Sequence, residues 1–415
     1  MKRRILACVL ALALGISVAG CEKSEALKLS ATDMMEEIRP RCVSEEVDVT
    51  DYGADVTDFG LRLVQNSMEP GENLLISPLS VLSALSMTAN GADEETLSQM
   101  ETVLGMTTAE LNLFFHSYLE ALEEKENGVL SMANSIWFKD DPKLQVEESF
   151  LQTNGDYFGA DIYRAAFDKN TCQDINTWVT DRTDGMIEEI LDQIPEEAIM
   201  YLVNALAFDA EWQKTYTEYQ VRDAIFTTED GAEQKVELMW SSENLYLSDE
   251  SATGFLKPYK GGDYAFVALL PNEGISVSDY IKGLTGEKLY SMLSGAEYTS
   301  VDCALPKFKT ECDYEMSEIL IEMGMTDAFD WQVSDFSRLG SYEDLNICIG
   351  RVLHKTFISV ADMGTKAGAA TVVEVAAEGA ALEIKEVRLD RPFVYMLVDC
   401  DTNIPLFIGT MLDAD

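Results

Sequence analysis

From Asp51 onward the chain alternates between two hydrophobic spacings. Apolar residues recur every three or four positions over 58–67, 109–125 (which carries His116), 174–183 and 185–191. That spacing predicts helices with one buried face. Ser77 followed by Pro78 marks a further helix start, with Ser77 as N-cap and Pro78 in the first turn. Runs rich in β-branched and aromatic residues cover 129–138, 200–212, 264–270, 301–310, 352–360, 393–399 and 406–411. They predict strands. Helical patterns first and many strands afterwards, with no linker or repeat between them, predict one large α+β domain over 51–415.

The N-terminus is of another kind. Lys2, Arg3 and Arg4 precede an apolar run over 5–18 that is too short to span a bilayer comfortably. Residues 1–20 therefore predict a secretory signal. Val18-Ala19-Gly20-Cys21 resembles a bacterial lipobox, which implies cleavage before Cys21 and a lipid on its sulfur. Residues 21–50 are polar and acidic, with Pro40 and little periodicity, and are expected to form a tether. As a coil they would reach about 30 Å from a membrane.

Charge and residue types exclude several functions. The formal net charge of −44 leaves no basic surface for nucleic acid. Cys42, Cys172, Cys303, Cys312, Cys348 and Cys400 fit no metal motif, and most sit in strand-like runs where buried thiols are expected; disulfides stay open. The chain has two histidines, His116 and His354, so any Ser-His-Asp or Cys-His site would need one of them. There is no G-x-S-x-G elbow, phosphate-binding glycine loop or zinc-spaced histidine pair. No cofactor or metal is expected, and an enzyme is disfavoured.

The stretch GTKAGAATVVEVAAEGAA, from Gly364 to Ala381, stands out. It holds seven alanines, three glycines, three valines and three charges. The glycines and the Thr-Val-Val run oppose a helix. Read as a strand, one face is Thr365, Ala367, Ala369, Thr371, Val373, Val375 and Ala377, all small or β-branched and uncharged. The other is Lys366, Gly368, Ala370, Val372, Glu374, Ala376 and Glu378, which carries every charge. One face suits a core and the other suits solvent, a pattern that a permanently exposed loop does not need.

The motifs resemble one family in order across the domain: LLISPLSVLSALSMTANGADEETLSQM after Asn73, SIWF after Asn134, INTWVTDRTDGMIEEIL after Asp174, LVNALAFDAEW after Tyr201, PKFKTECDYEMSEILIEMGMTDAF after Leu305, KTFISVADMGTKAGAATVV after His354 and PFVYMLVDCDTNIPLFIGTM after Arg391. The chain is similar to the serpins, the serine-protease-inhibitor fold. The resemblance implies three β-sheets, about eight or nine helices and an exposed reactive-centre loop. It places a polar "shutter" at Ser77, Ser80, Asn204 and His354, and a "breach" tryptophan at Trp212. It places a hinge at Asp362, Gly364, Thr365, Ala367, Gly368, Ala369 and Ala370. Asp362 stands where the family usually has Glu, and Met363 where a polar residue is common. The family's spacing puts the reactive bond fourteen residues past Gly364, at Glu378-Gly379, with Ala376 or Ala377 as the alternative. The first suits a Glu-preferring serine protease and the second an elastase-like one. The implied function is suicide-substrate trapping of serine proteases, or also of cysteine proteases, with the cut loop entering the main sheet as a strand. The alternative is a non-inhibitory serpin acting as a surface binding or structural protein. A monomer, exported and lipid-anchored at the bacterial cell surface, is expected.

Overall fold

The computed structural model describes residues 28–35, 38–125, 129–183, 185–195, 198–343, 345–365 and 384–414. Most of the loop read above, including Ala367, Gly368, Ala369, Ala370, Ala376, Ala377, Glu378 and Gly379, lies outside the described residues, as does Cys21.

Nine α-helices are formed among the described residues, and most of them precede the sheets' long strands. Ser77 caps helix Pro78–Ala89 as expected, with Pro78 at its first turn. This helix is buried almost all round and lies under the main sheet, against strand Met200–Phe208. Helix Thr108–Glu124 opens on a capping box between Thr107 and Glu110.

The main sheet comes in two halves. One runs Thr32–Asp33, Asp161–Ala165, Leu130–Lys139, Met200–Phe208. The other runs Phe308–Glu315, Leu353–Val360, Gly364–Thr365, Ala210–Glu211. Ala210–Glu211 continues Met200–Phe208 after Asp209, so the halves meet at that end. Below it, Met200–Phe208 and Leu353–Val360 share no ladder, which leaves a seam. A third set of strands hinges on Glu233–Ser248. Its first half pairs with Val221–Thr227, its second half pairs with Ala252–Pro258, and Glu297–Pro306 flanks its middle. These strands belong to one nine-stranded sheet, with Val221–Thr227 paired to the long strand off its main path. A short pair, Leu144–Val146 with Gly340–Tyr342, stands apart.

Three expectations are corrected. The run 301–310 is not one strand: it breaks at Lys307, whose N–H goes to Glu237, and its halves belong to different sheets. Residues 185–191 are not helical. The Asn176 side chain accepts from the backbone of Ile190 and Leu191 and donates to the Leu191 carbonyl, so those groups are spent outside a helix. The stretch expected as a tether is instead docked over its described part. Thr32–Asp33 adds an edge strand beside Asp161–Ala165, and Asp174 accepts from the backbone of Ser30 and Ala31. Ile38 is buried, Met35 seats over Gly155 where a side chain would block it, and Arg41 pairs with Asp156 at 3.0 Å. Spaced apolar residues at 29, 31, 34, 35 and 38 reach the core clusters, a pattern too sparse to register as a periodic element.

Candidate functional site

The polar residues read from the sequence converge on the seam. The backbone N–H of Ser77 donates to His354 Nε2 at 3.0 Å, linking the helix start to strand Leu353–Val360. Ser80 Oγ donates to Asn204 Oδ1, linking the same helix to the strand on the other side. Asn204 Nδ2 donates to Asn134 Oδ1 at 2.7 Å, and Ser83 Oγ donates to the same oxygen at 2.9 Å. Asn134 and Asn204 face each other in register across adjacent strands. Asn134 and Ser83 were given no role by the sequence reading. The available signal was a buried-type polar residue inside an apolar strand pattern, at the head of SIWF. A narrow cavity of about 40 Å³ follows the seam, lined by Ser80, Leu85, Leu202, Asn204, Leu353 and His354 among others.

His354 is buried, and burial pulls its pKa from 6.5 down to about 4. Its Nε2 accepts a hydrogen bond from the Ser77 amide, which requires the neutral ring. Among the described residues it bonds no nucleophile, and it stands as a bridge between helix and strand. His116 lies on helix Thr108–Glu124, 3.5 Å from Glu120, away from the seam.

At the closed end, Trp212 is buried and stacked on Tyr259, ring centroids 4.4 Å apart. Its indole N–H donates to the Ala361 carbonyl at 2.7 Å and its backbone N–H to the Met363 carbonyl at 2.9 Å. The Tyr216 N–H donates to the Asp362 carbonyl, and the Asp362 carboxylate lies 3.4 Å from Lys307 Nζ. Residues 212–216 thus form a strap across 361–363. Asp362, one carbon shorter than the Glu usual in the family, reaches Lys307.

Gly364 and Thr365 then make the first rungs of a strand. Gly364 pairs with Glu211, and Thr365 pairs with Ala210 on one side and Val360 on the other. A side chain at 364 would meet the Ala210 carbonyl oxygen at 2.1 Å, so only glycine fits. Thr365 points inward, 2% exposed, with its hydroxyl 2.6 Å from the Tyr259 hydroxyl. The chain therefore starts a strand between two neighbours that part below it. The described cysteines are free thiols; burial pushes those of Cys303 and Cys400 up to about 12, which keeps them protonated and inert.

The comparisons with known proteins agree with this geometry. A structure of the thermophilic serpin tengpin in its native state superposes with TM-score 0.87 at 48% identity, covering 92% of this chain and 99% of that one. The latent state of tengpin gives TM-score 0.79 at 47% identity, over 90% and 100%. Among curated proteins, human Serpin B9 is 30% identical over 365 residues, 85% of this chain and 96% of its own. Iripin-1 of the tick Ixodes ricinus is 29% identical over 365 residues, covering 85% of this chain and 92% of its own. The profile described as "Serpin (serine protease inhibitor)" matches residues 54–414, the same span that carries the seam, the strap and the begun strand, and the chain belongs to the serpin family.

Proposed function

We propose that this serpin inhibits serine proteases by offering the loop read over Gly364–Ala381 as bait and inserting the cut loop into its own main sheet. One observation carries the reading: Gly364–Thr365 already lies between Ala210–Glu211 and Leu353–Val360, and farther down Met200–Phe208, which Ala210–Glu211 continues, makes no ladder with Leu353–Val360. A loop that continues from Thr365 can pair with the facing edges of both strands, and each backbone hydrogen bond it gains adds about 1 kcal/mol. Thr365 faces the core, which sets the parity of everything after it. By that parity Ala367, Ala369, Thr371, Val373, Val375 and Ala377 follow inward, and Lys366, Glu374 and Glu378 stay outside. The hinge then comprises Asp362, Gly364, Thr365, Ala367, Gly368, Ala369 and Ala370. Ser77, Ser80, Asn204 and His354 hold the seam, and Trp212 holds its top.

In this mechanism the protease serine attacks the loop and forms an acyl-enzyme. Insertion drags the attached protease away and distorts its oxyanion hole before water releases the ester. The serpin supplies no catalytic group. The nominal bond is Glu378-Gly379, for a Glu-preferring protease, with cleavage at Ala376 or Ala377 by an elastase-like enzyme as the second choice. On the lipobox-like residues before Cys21, the domain is proposed to be lipid-anchored at the bacterial cell surface, extracellular or periplasmic.

The test is a denaturing gel of the mature protein with elastase-like and Glu-specific serine proteases. A stable band of higher mass is expected, and the nicked protein melts well above the intact one. Thr365→Arg, which would drive a charge into the core first, is expected to be cut without trapping. Cleavage with the protease left active and no rise in melting temperature would instead support a non-inhibitory surface role.

A further inference from the structure

The strap that grips the hinge rests on a buried cation. Lys257 sits in the middle of an apolar run on strand Ala252–Pro258 and is 1% exposed. Its Nζ lies 2.8 Å from Glu243 Oε1 and 3.2 Å from the Lys214 carbonyl. The ring centroid of Tyr216 is 4.3 Å away and that of Trp212 is 5.3 Å away. Glu243, on strand Glu233–Ser248, is 5% exposed and also accepts from Ser241 Oγ at 2.8 Å. The two aromatic faces on this ammonium belong to the two strap residues whose N–H groups hold Asp362 and Met363. Next to the lysine, the Gln213 N–H donates to the Pro258 carbonyl.

A buried ion pair is poor evidence for stability, because two charges must be taken out of water. Its retention here calls for another account, and its contacts supply one. The ammonium meets a carboxylate, a carbonyl and two π faces at once, and a cation over desolvated rings fixes their position. A hydrocarbon side chain would fill the space without that directionality.

We infer that Lys257 and Glu243 are positioning residues for loop insertion, a step that rests on the inhibitory reading above. Their pair fixes Trp212 and Tyr216, these fix 361–363, and the first strand rungs at Gly364 and Thr365 are thereby formed before any protease arrives. Insertion then extends an existing strand and does not have to order its first residues during the race with deacylation. With the pair removed, the rungs loosen, insertion starts later, and more molecules are cut without trapping.

The test compares the parent with Lys257→Arg and with the double variant Lys257→Met/Glu243→Leu, which leaves no unpaired charge in the core. Two quantities are read on the mature protein: amide hydrogen exchange over 210–217 and 361–365, and the moles of serpin consumed per mole of protease trapped. The double variant is expected to melt within a few degrees of the parent, to exchange at Trp212 and Tyr216 at least tenfold faster, and to need at least threefold more serpin per protease. Lys257→Arg keeps the cation over the rings and is expected within twofold of the parent in both. Exchange in the double variant within twofold of the parent would overturn the inference, and so would faster exchange with an unchanged trapping ratio. If the parent itself traps nothing, the inhibitory reading fails and the insertion role falls with it, while the exchange data still show whether the pair holds the strap.

Discussion

His354 accepts a main-chain hydrogen bond while buried, and those two facts set a pH response. The unfolded chain protonates this ring near 6.5, whereas the native state resists until about 4. Between those values the unfolded state binds more protons, so stability falls as pH falls through that window and is untouched above it. The full difference is about 3 kcal/mol at about 1.4 kcal/mol per unit. Urea unfolding at pH 7, 5.5 and 4 should therefore show the parent losing its advantage over His354→Asn as acid is added. A constant gap between the two would mean the ring is not held neutral by burial. This residue, with Ser77, Ser80 and Asn204, was legible because each sits at a matching position of a long family motif. Lys257 and Glu243 were not. In a chain with 104 charged residues, a carboxylate and a lysine fourteen positions apart carry no signal until two neighbouring strands bring them together.

Hydrophobic spacing located some of the elements, missed others such as helix Glu94–Leu104 and strand Glu233–Ser248, and misjudged ends and partners. Strand 393–399 and the helix from Pro78 fall where the pattern puts them, since each is apolar throughout or sharply capped. The single strand read over 200–212 is interrupted at Asp209, whose N–H turns to the Val129 carbonyl. Periodicity reports that a residue is buried, not which sheet buries it, and so the division at Lys307 was invisible. Residues 185–191 show a different failure, in which one side chain outweighs local propensity. Asn176 makes three hydrogen bonds to the backbone of Ile190 and Leu191. Replacing it with alanine leaves those groups unmatched, and a loss of about 2 kcal/mol is expected by chemical denaturation. An effect below about 0.5 kcal/mol would mean that water serves the segment as well.

At the scale of the molecule, the family motifs made a fold of several sheets and a parted main sheet foreseeable, but no local pattern encodes a missing ladder between two strands about 150 positions apart. The docked N-terminal arm was also unreadable, because its hold on the domain is made of scattered contacts with Asp174, Asp156 and Ile162. That arm changes how the protein would stand on a cell. If Cys21 carries lipid, the stretch from it to Leu29, the first residue packed on the domain, is a leash of at most about 28 Å when fully stretched. The outer margin of the main sheet, at Thr32–Asp33, then becomes the side turned toward the bilayer. Energy transfer from a dye on the domain to one in a supported bilayer should report this short standoff, and Asp174→Ala, which unfastens Ser30 and Ala31, should lengthen it. A protease would in that case meet its inhibitor close to the lipid headgroups, in a crowded layer where the angle of approach is restricted before any bond is cut.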